Sequence, residues 1–181
     1  MRAILVSVTG LMLLTGSAAN AAVSILVNKD TQQMTVSVDG APRYTWPVSS
    51  GNPSHETPNG SFKTFRMEED HYSKEFDDAP MPNAIFFTKQ GHAIHGTDAV
   101  SRLGTPASHG CVRLSRANAL KLWSVVKAEG LLNTTVTLTG SSRVALARNP
   151  RTTVARGDDA VGQPVQIAPR PGYSEDLNAN T

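Results

Sequence analysis

The chain is short of the residues that mark several common protein classes. Its 181 residues contain one cysteine, so the chain cannot form an internal disulfide network or a zinc site built from four of its own cysteines. Charged residues make up 18% of the sequence, with 17 basic against 15 acidic, and no dense basic run occurs. Charge therefore gives no reason to propose a nucleic-acid partner. The 11 prolines and 14 glycines argue against a long helical bundle.

Residues 1–21 have the pattern of a secretory signal peptide. Arg2 gives a positive start, residues 3–14 are mostly apolar, and Ala19-Asn20-Ala21 fits a small-residue cleavage site. An uncleaved anchor helix is the alternative, but the apolar run is shorter than the ~20 residues that a membrane span needs. No later segment is long and apolar enough to span a bilayer. We therefore expect an exported protein without a transmembrane span, whose mature chain starts near Ala22.

The sequence from residue 22 to residue 140 is mainly of β type. Residues 34–38 alternate apolar and polar side chains, and Asp39-Gly40 then predicts a hairpin turn before a strand over residues 44–48. Residues 68–82 are polar and contain two prolines, which predicts a long loop or flap. Further strands are predicted for the short runs at residues 23–27, 62–67, 85–87, 93–95 and 136–138. The pattern indicates one β-rich domain over residues 22–140.

One helix is predicted after the cysteine. Ser115 is a suitable N-cap, and Gly130 is a suitable C-terminal cap. The predicted apolar face of this helix consists of Ala117, Leu120, Trp123, Val125 and Val126.

Residues 141–181 differ from the domain in composition. They contain five arginines, four prolines and four acidic residues but few large apolar side chains, and they show no sustained periodicity. Such a segment cannot bury enough apolar surface to offset the entropy lost on ordering. We therefore predict a disordered or loosely packed tail. A contact with an anionic wall polymer is the functional alternative, which the near balance of charges disfavours.

The neighbours of Cys111 favour a reactive thiol. An unpaired cysteine in an exported protein is inert in the core, linked to another chain, or reactive. Gly110 permits close backbone approach to Cys111, and the N-terminal partial charge of the helix capped by Ser115 favours a thiolate. Arg113 adds positive charge if its side chain turns the same way. A nucleophile of this kind needs a base nearby.

Two histidines are candidates for that base, and the residues alone do not choose between them. His109 is two positions before Cys111, whereas His95 can be aimed at the thiol from a neighbouring strand. A zinc site is a third interpretation, because His92, His95, His109 and Cys111 supply four potential ligands. Their spacing matches no standard zinc module.

Three short motifs occur in order along the middle of the chain. They are Thr-Pro-Asn-Gly-Ser-Phe at residues 57–62, Ile-His-Gly-Thr at residues 94–97 and Ser-His-Gly-Cys-Val-Arg-Leu at residues 108–114. Together they resemble the active-site motifs of the L,D-transpeptidase family, whose catalytic unit is the YkuD domain. The resemblance implies a mainly β fold, a β-sandwich of this catalytic-domain type, with one main α-helix after the catalytic cysteine and the cysteine in a cleft under a loop.

The resemblance also implies roles for individual residues. Cys111 is then the nucleophile, His95 is the histidine that pairs with it, and the backbone carbonyl of Gly96 orients the His95 imidazole. The positions implied to bind substrate or stabilise the oxyanion are Ser108, His109, Gly110, Arg113 and Tyr72. In this set, the backbone N–H groups at Gly110 and Cys111 form the oxyanion hole, Arg113 contacts a substrate carboxylate, and Tyr72 assists from the loop.

The implied reaction is acyl transfer on peptidoglycan stem peptides, without a metal or organic cofactor. Cys111 attacks the bond between the diamino acid and D-alanine of a stem tetrapeptide, D-alanine leaves, and an amine takes the acyl group from the thioester. A second stem as acceptor gives a 3→3 cross-link, and the amine of an outer-membrane protein or lipoprotein gives attachment of that protein to the wall. Water as acceptor gives an L,D-carboxypeptidase or endopeptidase. A non-catalytic peptidoglycan-binding module is the remaining alternative.

The resemblance implies two further properties. The exported protein is expected in the periplasm, associated with the cell wall. Its cysteine is expected to form a thioester with carbapenem-type β-lactams.

Overall fold

The computed structural model describes residues 23–74 and 78–150. The predicted signal peptide and most of the predicted tail lie outside this part of the chain. The described elements, in chain order, are β1 (Val23–Asn28), β2 (Gln33–Val38), β3 (Ala41–Pro47), β4 (Gly60–Lys63), β5 (Arg66–Ser73), β6 (Ala79–Phe86), β7 (Ala93–Thr97), a 3-10 helix (Val100–Arg102), β8 (Val112–Ser115), α1 (Arg116–Glu129), a second 3-10 helix (Leu131–Asn133), β9 (Thr134–Thr139) and α2 (Ser142–Arg148).

The strands form two sheets that share one core. The first sheet has the order β3-β2-β1-β9-β4, and the second has the order β5-β6-β7-β8. Pairing is antiparallel except between β1 and β9 and between β7 and β8, which run parallel. Helix α1 packs against β6, β7 and β8 of the second sheet. The predicted fold class, mainly β with two sheets and one main helix, is confirmed.

Period-2 alternation explains how the first sheet buries one face. In β1, Val23, Ile25 and Val27 are fully buried, whereas Leu26 between them is 43% exposed. Apolar residues on one face of a strand point into the core because successive side chains alternate sides. The predicted hairpin between β2 and β3 is confirmed, with Asp39 and Gly40 at φ angles of 49° and 77°. Positive φ at both central residues is the mark of a type I′ turn, which matches the twist of the flanking strands.

The prediction of a long loop or flap over residues 68–82 is wrong. Residues 68–73 and 79–82 lie in an antiparallel hairpin of β5 and β6, whose register runs from Arg66 opposite Phe86 to Ser73 opposite Ala79. Strand β6 pairs with β7 at Ile85 and Phe86, so the other end of the hairpin extends from the sheet as a two-stranded arm. A proline is tolerated in such an arm because one strand edge has no neighbouring strand that needs its N–H. The polar sequence therefore reflects exposure on the arm and not the absence of a strand.

Helix α1 begins and ends where predicted, but only part of its predicted apolar face is buried. Ser115 is the N-cap and accepts a hydrogen bond from the Asn118 N–H, and Gly130 follows the last helical residue with a φ of 102°. The buried residues are Ala119, Leu122 and Val126, whereas Leu120 is 53% exposed. Of the predicted face, Val126 is buried and Trp123 and Val125 pack against the core, whereas Ala117 and Leu120 are exposed. The prediction is therefore only partly correct, because several apolar residues around the helix give the pattern more than one possible phase.

The segment after residue 140 does not begin as a loose tail. Residues 142–148 form α2, in which Ser142 and Ala145 are buried. Ser142 fixes the start of this helix, because its N–H and hydroxyl both donate to the carboxylate of Glu56. Ordered structure thus continues past the predicted boundary at residue 140. The prediction for residues 151–181 lies outside the described residues.

Candidate active site

The parallel pair of β7 and β8 brings the candidate base and the candidate nucleophile to one place. The register sets His95 opposite Arg113 and Ile94 opposite Val112, and Cys111 directly precedes Val112. His95 and Cys111 both line one cleft, with a volume of about 820 Å³. The neighbouring strand therefore brings a histidine into the cleft that Cys111 also lines.

The hydrogen bonding of His95 fixes its tautomer. Its Nδ1 lies 2.8 Å from the carbonyl oxygen of Gly96. Because a carbonyl oxygen only accepts, Nδ1 carries the proton and donates it, which leaves the lone pair on Nε2. Burial lowers the pKa of His95 to about 4, and electrostatic repulsion, chiefly from Arg113, adds to this effect while the bond to Gly96 opposes it. At neutral pH the imidazole is therefore uncharged and able to accept a proton.

Acidification should destabilise the domain through His95. Its pKa is lowered from 6.5 to about 4 in the folded chain, so between these values the unfolded chain binds more protons. The free energy of unfolding then falls by roughly 3 kcal/mol as the pH drops from about 7 to about 4. Urea unfolding at both ends of that window measures the loss. His95→Asn should remove most of the pH dependence. The remainder comes from His92, whose pKa burial also lowers, and near pH 4 from Glu56 and Asp98, whose hydrogen bonds to cationic side chains lower their carboxyl pKa values. An unchanged slope in the variant would contradict this assignment.

Ser108 shapes the turn that carries Cys111. It is fully buried, its hydroxyl accepts from the Gly110 N–H at 3.1 Å, and it donates to the Cys111 carbonyl. Gly110 has a φ of +118°, and a Cβ at this position would lie 3.1 Å from the ring of His92. Both the backbone angle and the close ring favour glycine here. The Gly110 N–H, which the resemblance offered as an oxyanion donor, is thus engaged with Ser108 inside the turn.

Arg113 supplies positive charge next to the nucleophile. Its guanidinium is half-buried and donates to the Ala107 carbonyl at 3.4 Å. Burial lowers the pKa of Arg113, and a negative charge on Cys111 acts in the opposite direction. Because the attraction is mutual, Arg113 favours the thiolate form of Cys111. The sulfur itself is partly exposed and lies 3.9 Å from the Gly91 carbonyl oxygen.

The remaining predicted residues lie at the rim of the cleft. His109 is exposed, and its ring meets the ring of His55 edge to face, with centroids 5.0 Å apart. Tyr72 is 57% exposed and lies on β5, opposite Pro80, so it belongs to the arm and not to a loop. Both residues line the cleft.

Two histidines of the cleft, His55 and His71, were not predicted as site residues from the sequence. All five histidines of the chain line this cleft, including His55 and His71 from separate elements. His55 comes from the connection between β3 and β4, and His71 comes from the arm. His71 lies near no cysteine or motif along the chain, and His55 precedes the first motif without belonging to it, so only the folded arrangement brings both to the site.

The described residues do not assemble the zinc site considered above. Among residues 23–74 and 78–150, no group of three or more His, Cys, Asp or Glu side chains is placed to hold a metal ion. The Nδ1 atoms of His92 and His95 instead bond to the Thr88 hydroxyl and the Gly96 carbonyl. The same part of the chain contains no helix with the length and apolar content needed to cross a membrane.

Comparisons with known proteins agree with this geometry. Residues 22–167 match the family model for YkuD, the L,D-transpeptidase catalytic domain. "Putative L,D-transpeptidase YqjB" of Bacillus subtilis (strain 168) is 26% identical over 114 residues, which are 56% of this chain and 65% of that protein.

Solved structures show the same fold. The L,D-transpeptidase (Yku) from Stackebrandtia nassauensis is 27% identical with a TM-score of 0.56, over 66% of this chain and 56% of that one. L,D-transpeptidase 3 from Mycobacterium tuberculosis, in complex with a faropenem-derived adduct, is 24% identical with a TM-score of 0.58, over 66% of this chain and 60% of that one. The chain thus spans less than two thirds of the length of these proteins.

Fold and family match together identify a two-sheet domain of the YkuD type. The chain belongs to the L,D-transpeptidase family, and the match to the YkuD catalytic domain covers most of its length.

Proposed function

We propose that the protein is an exported L,D-transpeptidase that acts on peptidoglycan stem peptides, with Cys111 as nucleophile and His95 as general base. The observation that carries the proposal is the hydrogen bond from His95 Nδ1 to the Gly96 carbonyl. It leaves Nε2 as the proton acceptor of a histidine that lines the same cleft as Cys111. The family match over residues 22–167, a range that contains both residues, supports the proposed class of reaction.

The first step is acylation of the cysteine. The Cys111 sulfur attacks the carbonyl carbon of the diamino acid, and His95 Nε2 takes the thiol proton. The carbonyl oxygen becomes an oxyanion, which collapses as the bond to D-alanine breaks. The departing nitrogen takes the proton from His95. A thioester remains on Cys111, and the imidazole returns to its neutral form, which its burial favours.

The charges of the cleft support an anionic peptide as substrate. Among the described residues, four cationic side chains line it, Arg66, Lys74, Arg113 and Arg116, against one carboxylate, Asp98. That carboxylate is already paired with Arg116 through two hydrogen bonds of 2.5 and 2.7 Å. The net positive surface therefore suits a stem peptide, which carries free carboxylates.

The second step transfers the acyl group, and the products identify the acceptor. We propose an amine acceptor, in a second stem or an envelope protein. Incubation with a disaccharide-tetrapeptide, followed by mass spectrometry of protein and products, tests both steps. A covalent adduct absent from Cys111→Ala, together with a 3→3 dimer, supports transpeptidation. An adduct with free tripeptide alone moves the assignment to L,D-carboxypeptidase, and the absence of any adduct contradicts the proposal.

Carbapenems should acylate the same sulfur. Attack on the β-lactam carbonyl breaks the ring C–N bond without losing a leaving group, so the protein should gain the full mass of the drug. We expect one adduct per chain with imipenem and none in Cys111→Ala, both read by intact-protein mass spectrometry. Peptide mapping should place the adduct on Cys111. Modification of the alanine variant to the same extent would refute this prediction.

We also propose that the protein acts in the periplasm after export. The charged start, apolar run and small-residue site of residues 1–21 support this. N-terminal sequencing of the protein recovered from its native cells should find a mature chain that starts near Ala22. A cell-associated chain that retains Met1 would contradict cleavage.

A further inference from the structure

Thr57, from the first of the three sequence motifs, lies directly behind the nucleophile turn. It is fully buried, and its hydroxyl donates to the Gly110 carbonyl at 2.9 Å. The same hydroxyl accepts from the Gly51 N–H at 2.8 Å. Both bonding directions of the hydroxyl are thus used, and this fixes the proton of Thr57 on the Gly110 oxygen.

The Gly110 carbonyl shares a peptide plane with the N–H of Cys111. This peptide is trans, as no cis bond occurs in the described residues, so the C=O and N–H point to opposite sides of one rigid unit. A bond that fixes the carbonyl therefore fixes the direction of the Cys111 N–H. A donor on the carbonyl oxygen also polarises the amide, which makes its N–H a stronger donor.

An ion pair between a buried lysine and Glu56 holds Thr57 from the other side. The ammonium of Lys29 is 1% exposed and donates to the Thr57 carbonyl at 2.6 Å and to Glu56 Oε1 at 2.7 Å. Burial alone would raise the pKa of Glu56, but the hydrogen bonds from Lys29 and Ser142 outweigh it and lower that pKa. Glu56 therefore stays ionised and keeps the Lys29 charge paired, without which burial of an ammonium is strongly unfavourable.

We propose that Thr57 is a positioning residue that orients and polarises the Cys111 N–H toward the oxyanion of the acylation step, and that the Lys29–Glu56 pair keeps Thr57 in place. This proposal rests on the proposed function, since it gives Thr57 a part in the acylation of Cys111. Helix α2 also supports this arrangement, because the Ser142 N–H donates to the Glu56 carboxylate that pairs with Lys29.

Two reactions of the Cys111 sulfur distinguish a loss of oxyanion stabilisation from a general loss of structure or of thiol reactivity. Acylation by imipenem passes through an oxyanion, whereas alkylation by iodoacetamide displaces iodide at a saturated carbon and forms none. Thr57→Val keeps the side-chain shape and removes the hydroxyl. Loss of one oxyanion donor costs about 10²–10³-fold in rate, so a misaligned and less polarised donor should slow acylation about 10- to 100-fold. Alkylation should change less than about twofold, because it needs no such donor.

Thr57→Ser is the matched control, since it restores the hydroxyl and should return acylation to within about threefold of the wild type. Equal losses of acylation and alkylation in Thr57→Val, or normal acylation, would overturn the proposal. Should the valine variant not fold, Glu56→Gln gives the same comparison, with acylation slowed at least about threefold and alkylation unchanged. Wild-type acylation by imipenem without any adduct from the tetrapeptide would reject the proposed substrate and leave this comparison valid.

Discussion

A serine at position 111 should leave the fold intact and remove acyl transfer, by at least about 10³-fold. A thiol ordinarily ionises near pH 8.5, so a weak base and a neighbouring cation are enough to form the thiolate. An alkoxide is far harder to form. The base offered here is weak, because burial lowers the pKa of His95 to about 4. Such a base can assist a thiol that Arg113 already favours as a thiolate, but it cannot activate a hydroxyl.

The measurement for Cys111→Ser is the rate of D-alanine release from a disaccharide-tetrapeptide. Because Cys111 is partly exposed and serine is similar in size, the melting temperature should stay close to that of the wild type. Equal melting with lost turnover assigns the chemistry to the sulfur. Turnover within about tenfold of the wild type would show that the sulfur is not the nucleophile.

Local signals in the sequence predicted much of the fold. Asp39-Gly40 predicted a turn that needs positive φ at both residues, and the structure has it. Ser115 and Gly130 predicted the ends of α1 through caps whose donors and acceptors lie within a few residues. Such features depend on short stretches of chain, so composition and spacing are enough to identify them.

The arm and the support of the nucleophile turn could not be predicted in the same way. The β5–β6 hairpin is held by pairing between residues whose own composition is typical of loops. Lys29 and Glu56 are separated by 27 positions, and Thr57 and Gly110 by 53. No local sequence pattern predicts that Lys29 is buried, because its burial depends on the carboxylate of Glu56, which is distant along the chain. The site motifs predict the chemistry, whereas the groups that we propose to position the nucleophile turn come from distant parts of the chain.

The structure also explains why two histidines near one cysteine are not equivalent. His95 is buried, and its Nδ1 is held by a backbone carbonyl, so its tautomer and ring orientation are fixed. His109 is exposed and contacts the His55 ring edge to face. A general base must present a lone pair at a defined position, and the buried, bonded ring satisfies that requirement.

His95→Asn should therefore slow acylation of Cys111 by about 10²–10⁴-fold, the usual contribution of general acid–base catalysis. The amide nitrogen of asparagine can still donate to the Gly96 carbonyl, so the buried bond is retained while the proton acceptor is lost. The matched change His109→Asn should slow acylation by less than about tenfold, because this side chain shapes the rim of the cleft.

Single-turnover acylation by the tetrapeptide, followed by mass spectrometry, measures both histidine variants on one scale. In the wild type the rate should fall as the pH drops toward about 4, where His95 gains its proton, and His95→Asn should lose this dependence. His109→Asn should retain it, since the titrating base is still present. A larger loss in His109→Asn, with the pH dependence abolished there and kept in His95→Asn, would reassign the base to His109. The two rates and their pH profiles thus decide between the histidines even if both variants are slowed.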